Sequence, residues 1–271
     1  MASTLILNSQ GSPIHNGPFG QVLAVLQEGS GNGKTGNVDG LWILPASLLS
    51  GLSVGVKLND LVRVGEDRAC CGTCPMRSKA AGGTGTCYTH GTVVQKGGYM
   101  MGIGLLRNGF PTIRLQDVAA KVASRKAQAE KRAMKKRRNP NKAYAVRLGV
   151  YGDPAMVPAV VEAILAGNSR ILGYSHQKGL EPIACMVSAD SLAEAKAHWA
   201  QGRRTARVAP VDTLQKEEIL CPATQEGKAL RGKEITCVEC GFCDGRRGGK
   251  SVLFPPHGNG KKKLLMSFAV A

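Results

Sequence analysis

Short apolar runs alternate with amphipathic or charged segments along this chain. "QVLAVLQ" at 21–27 has strand length and is the one strand-like run within the Gly-, Asn- and Ser-rich residues 1–38. "GLWILPASLL" at 40–49 reads as a buried strand running into a helix or turn. Residues 82–104 are so dense in glycine that mostly loop is expected. From 114 to 138, "RLQDVAAKVASRKAQAEKRAMKKRR" contains strong helix formers and no Gly or Pro, and "NPN" at 139–141 ends it. One long helix is predicted there.

Beyond residue 143 the pattern becomes regular. "AYAVRLGVYGD", "RILGYSHQ", "IACMVSAD", "RTARVAP", "EILCPA" and "SVLFPPHG" read as strands, and "PAMVPAVVEAILAG" and "SLAEAKAHWAQG" as helices between them. Such alternation predicts βαβ units on a parallel sheet. Right-handed crossovers then give an open parallel sheet or a partial or distorted (β/α) barrel. The expected class is α/β, with Cys-rich loops and one long basic helix. The chain divides into an N-terminal segment 1–113 with the first Cys cluster, a basic helical stretch 114–142, and a βα-repeat region 143–271 with a C-terminal four-cysteine set, integrated in one domain.

Charge changes this picture. The 271 residues carry a formal charge of +17, which suits a polyanionic partner, above all nucleic acid. From Lys121 to Lys142 there are ten Lys or Arg against one acid, so removing the stretch would lower the charge to +8. A solvated helix is the plain alternative, but such charge density repels itself without a counter-anion. Arg125, Lys126, Lys131, Arg132, Lys135, Lys136, Arg137 and Arg138 are the candidate phosphate contacts. Only 4% of residues are aromatic, which disfavours a base-stacking surface and favours phosphate contact. No apolar run reaches membrane-span length and no basic region precedes an N-terminal apolar run, so no membrane partner is expected. The expected location is the cytoplasm of a host cell, with a virion as the alternative.

Polar residues gather where the strands after residue 143 finish. Asp153, His176, Asp190 and His257 are the candidate catalytic groups, since the carboxyl ends of parallel strands line the binding face. Helix capping is the competing role for Asp153 and Asp190, and a satisfied core position that for His176.

Nine cysteines without a secretion signal point to reduced thiols and metal chemistry rather than a disulfide framework. Cys221-x15-Cys237-x2-Cys240-x2-Cys243 supplies four thiolates, enough for a 4Fe–4S cluster or zinc. Its Cys221 ends a strand, which would put the metal beside the strand-end polar cluster. Cys71-x2-Cys74-x12-Cys87-x2-His90 has the spacing of a structural zinc site, with Cys70 spare. A three-thiol radical-cluster motif starting at Cys70 fails because residue 77 is Arg. Thiols of both sets meeting in one cluster is a third arrangement. "EGSGNGKTG" imitates a phosphate-binding P-loop, but the position that needs its first glycine holds Glu28.

Taken together, "NGKTGNVDGLWIL", "CGTCPMR…GTCYTHG", "RLGVYGDPAMVP", "GYSHQ", "CMVSADSLAEA", "GRRTARV", "CPATQEGK…TCVECGFCDG" and "PPHG" resemble a family of uncharacterised bacteriophage and mobile-element proteins over about 30–260. The resemblance implies a phage or plasmid setting, ligand roles for the cysteines, a distant likeness to metal-cluster proteins with a partial (β/α) barrel, and a basic helix that is an insertion. Three functions follow as expectations: a metal-binding protein that grips nucleic acid through the basic helix in replication or packaging; an iron–sulfur redox or radical-type enzyme acting on a nucleotide or nucleic acid; and a zinc-stapled virion protein.

Overall fold

The computed structural model describes residues 2–30, 32–87, 89–90, 93–182, 184–256 and 261. The strands are β1 (Ser3–Leu7), β2 (Ile14–Gly17), β3 (Gly20–Gln27), β4 (Asp39–Pro45), β5 (Thr112–Arg114), β6 (Val146–Tyr151), β7 (Ile171–Leu172), β8 (Tyr174–Ser175), β9 (Met186–Ala189), β10 (Thr205–Val208), β11 (Glu218–Leu220) and β12 (Ser251–Phe254). The helices are α1 (Ser47–Gly51), α2 (Leu58–Arg63), α3 (Asp67–Cys71), α4 (Val93–Arg107), α5 (Val118–Lys135), α6 (Pro158–Ala166), α7 (Leu192–Ala200), α8 (Gln225–Arg231) and α9 (Cys237–Cys240).

The protein is α/β, built on two sheets. The first has the order β5-β1-β3-β4-β6-β7, with β2 paired on β3. Its β1–β3, β2–β3 and β3–β4 ladders are antiparallel, while β1–β5, β4–β6 and β6–β7 are parallel. The second, β11-β12-β10-β9-β8, is parallel throughout. Among the described residues the ladders close neither sheet. Because β6 pairs with β4, the region after 143 continues the sheet begun before 113. All seven residues of β4 are buried, as a central strand covered on both faces requires.

Two departures from the sequence reading have physical causes. "RILGYSHQ" is not one strand: β7 belongs to the first sheet and β8 to the second, and Gly173 is the switch between them. There the Gly173 N–H turns to the Cys243 carbonyl at 2.9 Å. A Cβ at Gly173 would press on Leu148 Cβ at 3.1 Å and Cys185 Sγ at 3.2 Å. The glycine-dense stretch expected as loop instead holds the 15-residue helix α4. Its glycines let it lie close on the core: a Cβ at Gly98 would meet Leu58 Cδ2 at 3.0 Å and one at Gly102 would meet Leu52 Cδ2 at 2.9 Å. Packing there outweighs the poor helix propensity of glycine. Among the described residues no helix is long and apolar enough to cross a membrane.

Candidate nucleic-acid interface and thiol sites

The expected basic helix is α5, and its two halves do different work. Val118 and Val122 bury the first half against the core. Arg125 reaches inward to Asp39, which is 1% exposed on β4. Arg125 Nη2 donates to Asp39 Oδ1 at 2.7 Å and Nε to Oδ2 at 3.0 Å. Tyr144 Oη donates to Oδ2 at 2.8 Å, and the Gly29 N–H to Oδ1 at 2.8 Å. Its hydrogen bonds to Asp39 hold the Arg125 guanidinium firmly charged, and burial, then the Asp39 charge, push the Tyr144 phenol up. Glu28 adds ion pairs to Arg125 and Lys121. The Arg125 guanidinium therefore anchors the helix to the sheet instead of presenting itself to a phosphate. Lys126 is also occupied, donating to the Asn168 carbonyl at 3.0 Å and facing Glu130 at 3.9 Å.

The second half of α5 and its exit contrast with this. Lys131, Arg132, Lys135, Lys136, Arg137 and Arg138 are all exposed. Among the described residues none of the six forms a salt bridge, whereas Lys121, Arg125 and Lys126 all do. They crowd the carboxyl end of the helix, where the macrodipole favours cations.

The C-terminal thiols sit close to this exit. A capping box formed by Thr236 and Glu239 starts α9, so that Cys237 and Cys240 lie on one turn. Gly241, at φ 64°, ends the turn in the left-handed region. The P-loop look-alike has a structural use: the carbonyls of Lys34 and Thr35 accept from the N–H groups of Cys237 and Val238 at 3.0 and 3.1 Å. Arg204, just before β10, clamps the loop that follows. Its guanidinium donates to the carbonyls of Phe242 (2.6 Å), Asp244 (2.9 Å) and Lys250 (2.7 Å). Gly245 N–H meets the Ala184 carbonyl at 2.8 Å. Residues 173, 184 and 204 precede β8, β9 and β10, so this loop covers the amino ends of the second sheet.

Burial pushes the Cys221 thiol up to about 12 and raises Cys237 and Cys240 as well. Cys243 is pushed well above the ordinary thiol range by burial and then by Cys221, Cys237 and Cys240. The four thiols thus converge on one region, and all nine cysteines are free. Among the described residues no three His, Cys, Asp or Glu side chains are already gathered closely enough to hold an ion. Cations ring the loop: Arg170, Arg231 and Lys142 act on the Cys240 thiol, and Arg138 and Lys142 on Glu239. A groove between α5 and this loop is lined by Lys126, Arg170, Arg246 and Arg247, together with Glu130, Asp244 and Ser169. The Ser169 hydroxyl is buried there without a hydrogen-bond partner. The groove adjoins both the helix exit, through Pro140 and Asn141, and the Cys loop, through Asp244, Arg246 and Arg247.

The sequence reading set the C-terminal thiols beside the strand-end polar cluster. In the structure Cys221 does follow the end of β11, and the N-terminal set lies beside Asp153 and Gln177. The Asp153 N–H, after β6, donates to the Cys70 carbonyl at 2.7 Å. Gln177, after β8, donates to the Cys71 carbonyl at 2.9 Å and accepts from the Thr73 N–H at 2.9 Å. The Cys243 loop thus covers the amino ends of the second sheet, whereas Cys221 directly follows β11 at its carboxyl end.

Of the candidate catalytic groups, Asp153 is fully engaged. Its Oδ1 accepts from Ser175 Oγ at 2.7 Å and the Ala155 N–H at 3.0 Å; its Oδ2 accepts from the His176 N–H at 2.8 Å. It caps the turn after β6 and fixes the loop after β8, which is the capping role. His176 Nε2 and Asp190 Oδ1 are 3.3 Å apart. Burial favours the neutral ring, but hydrogen bonds to Asp190 and Cys74 overcome it and hold His176 well above the usual histidine range. His257 lies outside the described residues. His90, the expected fourth ligand of the N-terminal set, has its Nε2 3.6 Å from Asp67 Oδ2.

Sequence reasoning missed Asp39 and Arg204. An acid opening an apolar run ("VDGLWIL") and paired arginines opening a strand ("GRRTARV") were the available signals. A buried charge in such a place must have a partner. No family model, curated protein or solved structure matches the chain.

Proposed function

We propose that this protein binds nucleic acid through the basic face formed by the carboxyl half of α5, residues 136–142 and the loop that carries Cys237, Cys240 and Cys243. The observation that carries the reading is the set of six exposed cations from Lys131 to Arg138, none in a salt bridge among the described residues, beside a Cys loop ringed by Arg170, Arg231 and Lys142. A helix left in that state is stabilised by phosphates, which also release their own condensed counterions on contact. Cys221, Cys237, Cys240 and Cys243 are the donor set for zinc or a 4Fe–4S cluster. A metal there would fix the loop that presents Arg247. The phage or mobile-element setting implied by the sequence resemblance suits a role in replication or packaging.

Binding of the full chain to labelled duplex DNA, single-stranded DNA and single-stranded RNA at about 50 mM salt tests this. Micromolar or tighter dissociation constants are expected, as is typical of phosphate-driven binding. With 4% aromatic residues, single strands should gain no stacking advantage over duplex. Absence of binding to all three would overturn the reading.

A further inference from the structure

We infer that a metal site of its own lies at the carboxyl ends of β6, β8 and β9, with Cys71, Cys74, Cys87 and His176 as donors and Asp190 as the carboxylate that orients His176. Three thiolates and one imidazole suit a borderline-soft divalent ion, zinc first. The inference is independent of the nucleic-acid reading, which rests on α5 and the loop of Cys237, Cys240 and Cys243.

Four observations bring these donors together. The 70–73 segment is tied to the 153 and 177 segments by the Asp153 and Gln177 hydrogen bonds, so chain regions about a hundred residues apart are held in register. His176 is within hydrogen-bond reach of both Cys74 and Asp190. An imidazole held by a carboxylate on one side and offered to a thiol-rich site on the other is the usual support for a metal-bound histidine. Cys71, Cys74 and Cys87 lie within electrostatic range of one another, and Cys87 within range of His176. Finally, the Tyr151 hydroxyl, on a residue 1% exposed, is buried without a hydrogen-bond partner and within electrostatic range of Cys70, Cys71 and Cys87.

His90 also has a carboxylate beside it, Asp67, but among the described residues no thiol acts on its ring, whereas Cys74 acts on that of His176. The spacing that made His90 a ligand candidate counts residues along the chain; His176 is adjacent only in space. Cys74 and Cys87 stand in a stretch without regular helix or strand, so their side chains can close on an ion without breaking a ladder. Because the donors are not yet gathered, ion binding and ordering of this stretch are coupled. A nucleophilic Cys74 activated by His176 and Asp190 would use fewer of these groups. It leaves Cys71 and Cys87 without a purpose.

The test is titration of the full chain, stripped with a chelator under reducing conditions, with Co(II) as a spectroscopic stand-in for zinc. The C-terminal thiols contribute the same background in every variant. His176→Ala is expected to lose about one equivalent of tightly bound cobalt with its thiolate charge-transfer band. His176→Cys should keep that equivalent with a stronger band, and His90→Ala should leave the wild-type spectrum. Circular dichroism checks the fold, and His176→Cys decides should His176→Ala fail to fold. Loss of the equivalent in His90→Ala but not in His176→Ala, or unchanged cobalt binding in both, would overturn the site. So would His176-dependent rapid alkylation of Cys74 by iodoacetamide with no His176-dependent cobalt.

Discussion

Replacing Lys131, Arg132, Lys135, Lys136, Arg137 and Arg138 together with Gln is expected to weaken nucleic-acid binding by about 100-fold or more at about 100 mM salt. The formal charge falls from +17 to +11, so a strongly basic protein remains. If charge alone mattered, the loss would be modest and any six surface cations would serve. If the helix exit is the contact, the salt slope should also become shallower by roughly one for each phosphate contact removed. The fold should tolerate the change, because all six side chains are exposed and form no salt bridge among the described residues. Glutamine keeps helix propensity close to that of the residues replaced. Affinity and slope come from binding isotherms at several salt concentrations. Unchanged affinity with intact circular dichroism would remove α5 from the interface.

Asp39→Ala should destabilise the fold strongly, by about 3–5 kcal/mol. The carboxylate accepts from Arg125, Tyr144 and Gly29, and all of these donors lose their partner at once. What remains is a guanidinium held in a half-buried site with only Glu28, and a buried phenol. The double variant Asp39→Leu with Arg125→Met should recover much of the loss, because removing both partners leaves no uncompensated charge. Denaturant or thermal unfolding reads both variants. A cost under about 1 kcal/mol for Asp39→Ala would mean that the pair is solvated and does not anchor the helix.

The strand and helix pattern after residue 143 was legible because each element there carries its own apolar period. "MVSA" and "TARV" become β9 and β10, and "LAEAKAHWA" becomes α7. β1 and β2 were not legible, because strands of five and four residues in polar, Gly-rich sequence acquire their meaning only from β3 beside them. α4 was hidden for the opposite reason: its glycines look like loop and are there for close contact with Leu52 and Leu58. The cysteines announced themselves, but which polar residues they would meet did not. Local spacing offered His90, while the tertiary fold brings His176, and no rule of spacing reaches from residue 74 to residue 176. The charge of α5 was equally plain in the sequence. That Arg125 faces inward while Arg132 faces solvent depends on Asp39, which comes from a strand 86 residues away.

The central claim is that phosphate contacts made by one basic face drive binding, and the salt dependence of wild-type affinity for duplex DNA tests it most directly. With about six phosphates engaged, the logarithm of the association constant should fall against the logarithm of salt concentration with a slope near about −5. That is a loss of about 10³-fold between about 50 and 200 mM salt. A slope near zero over the same range would contradict the account.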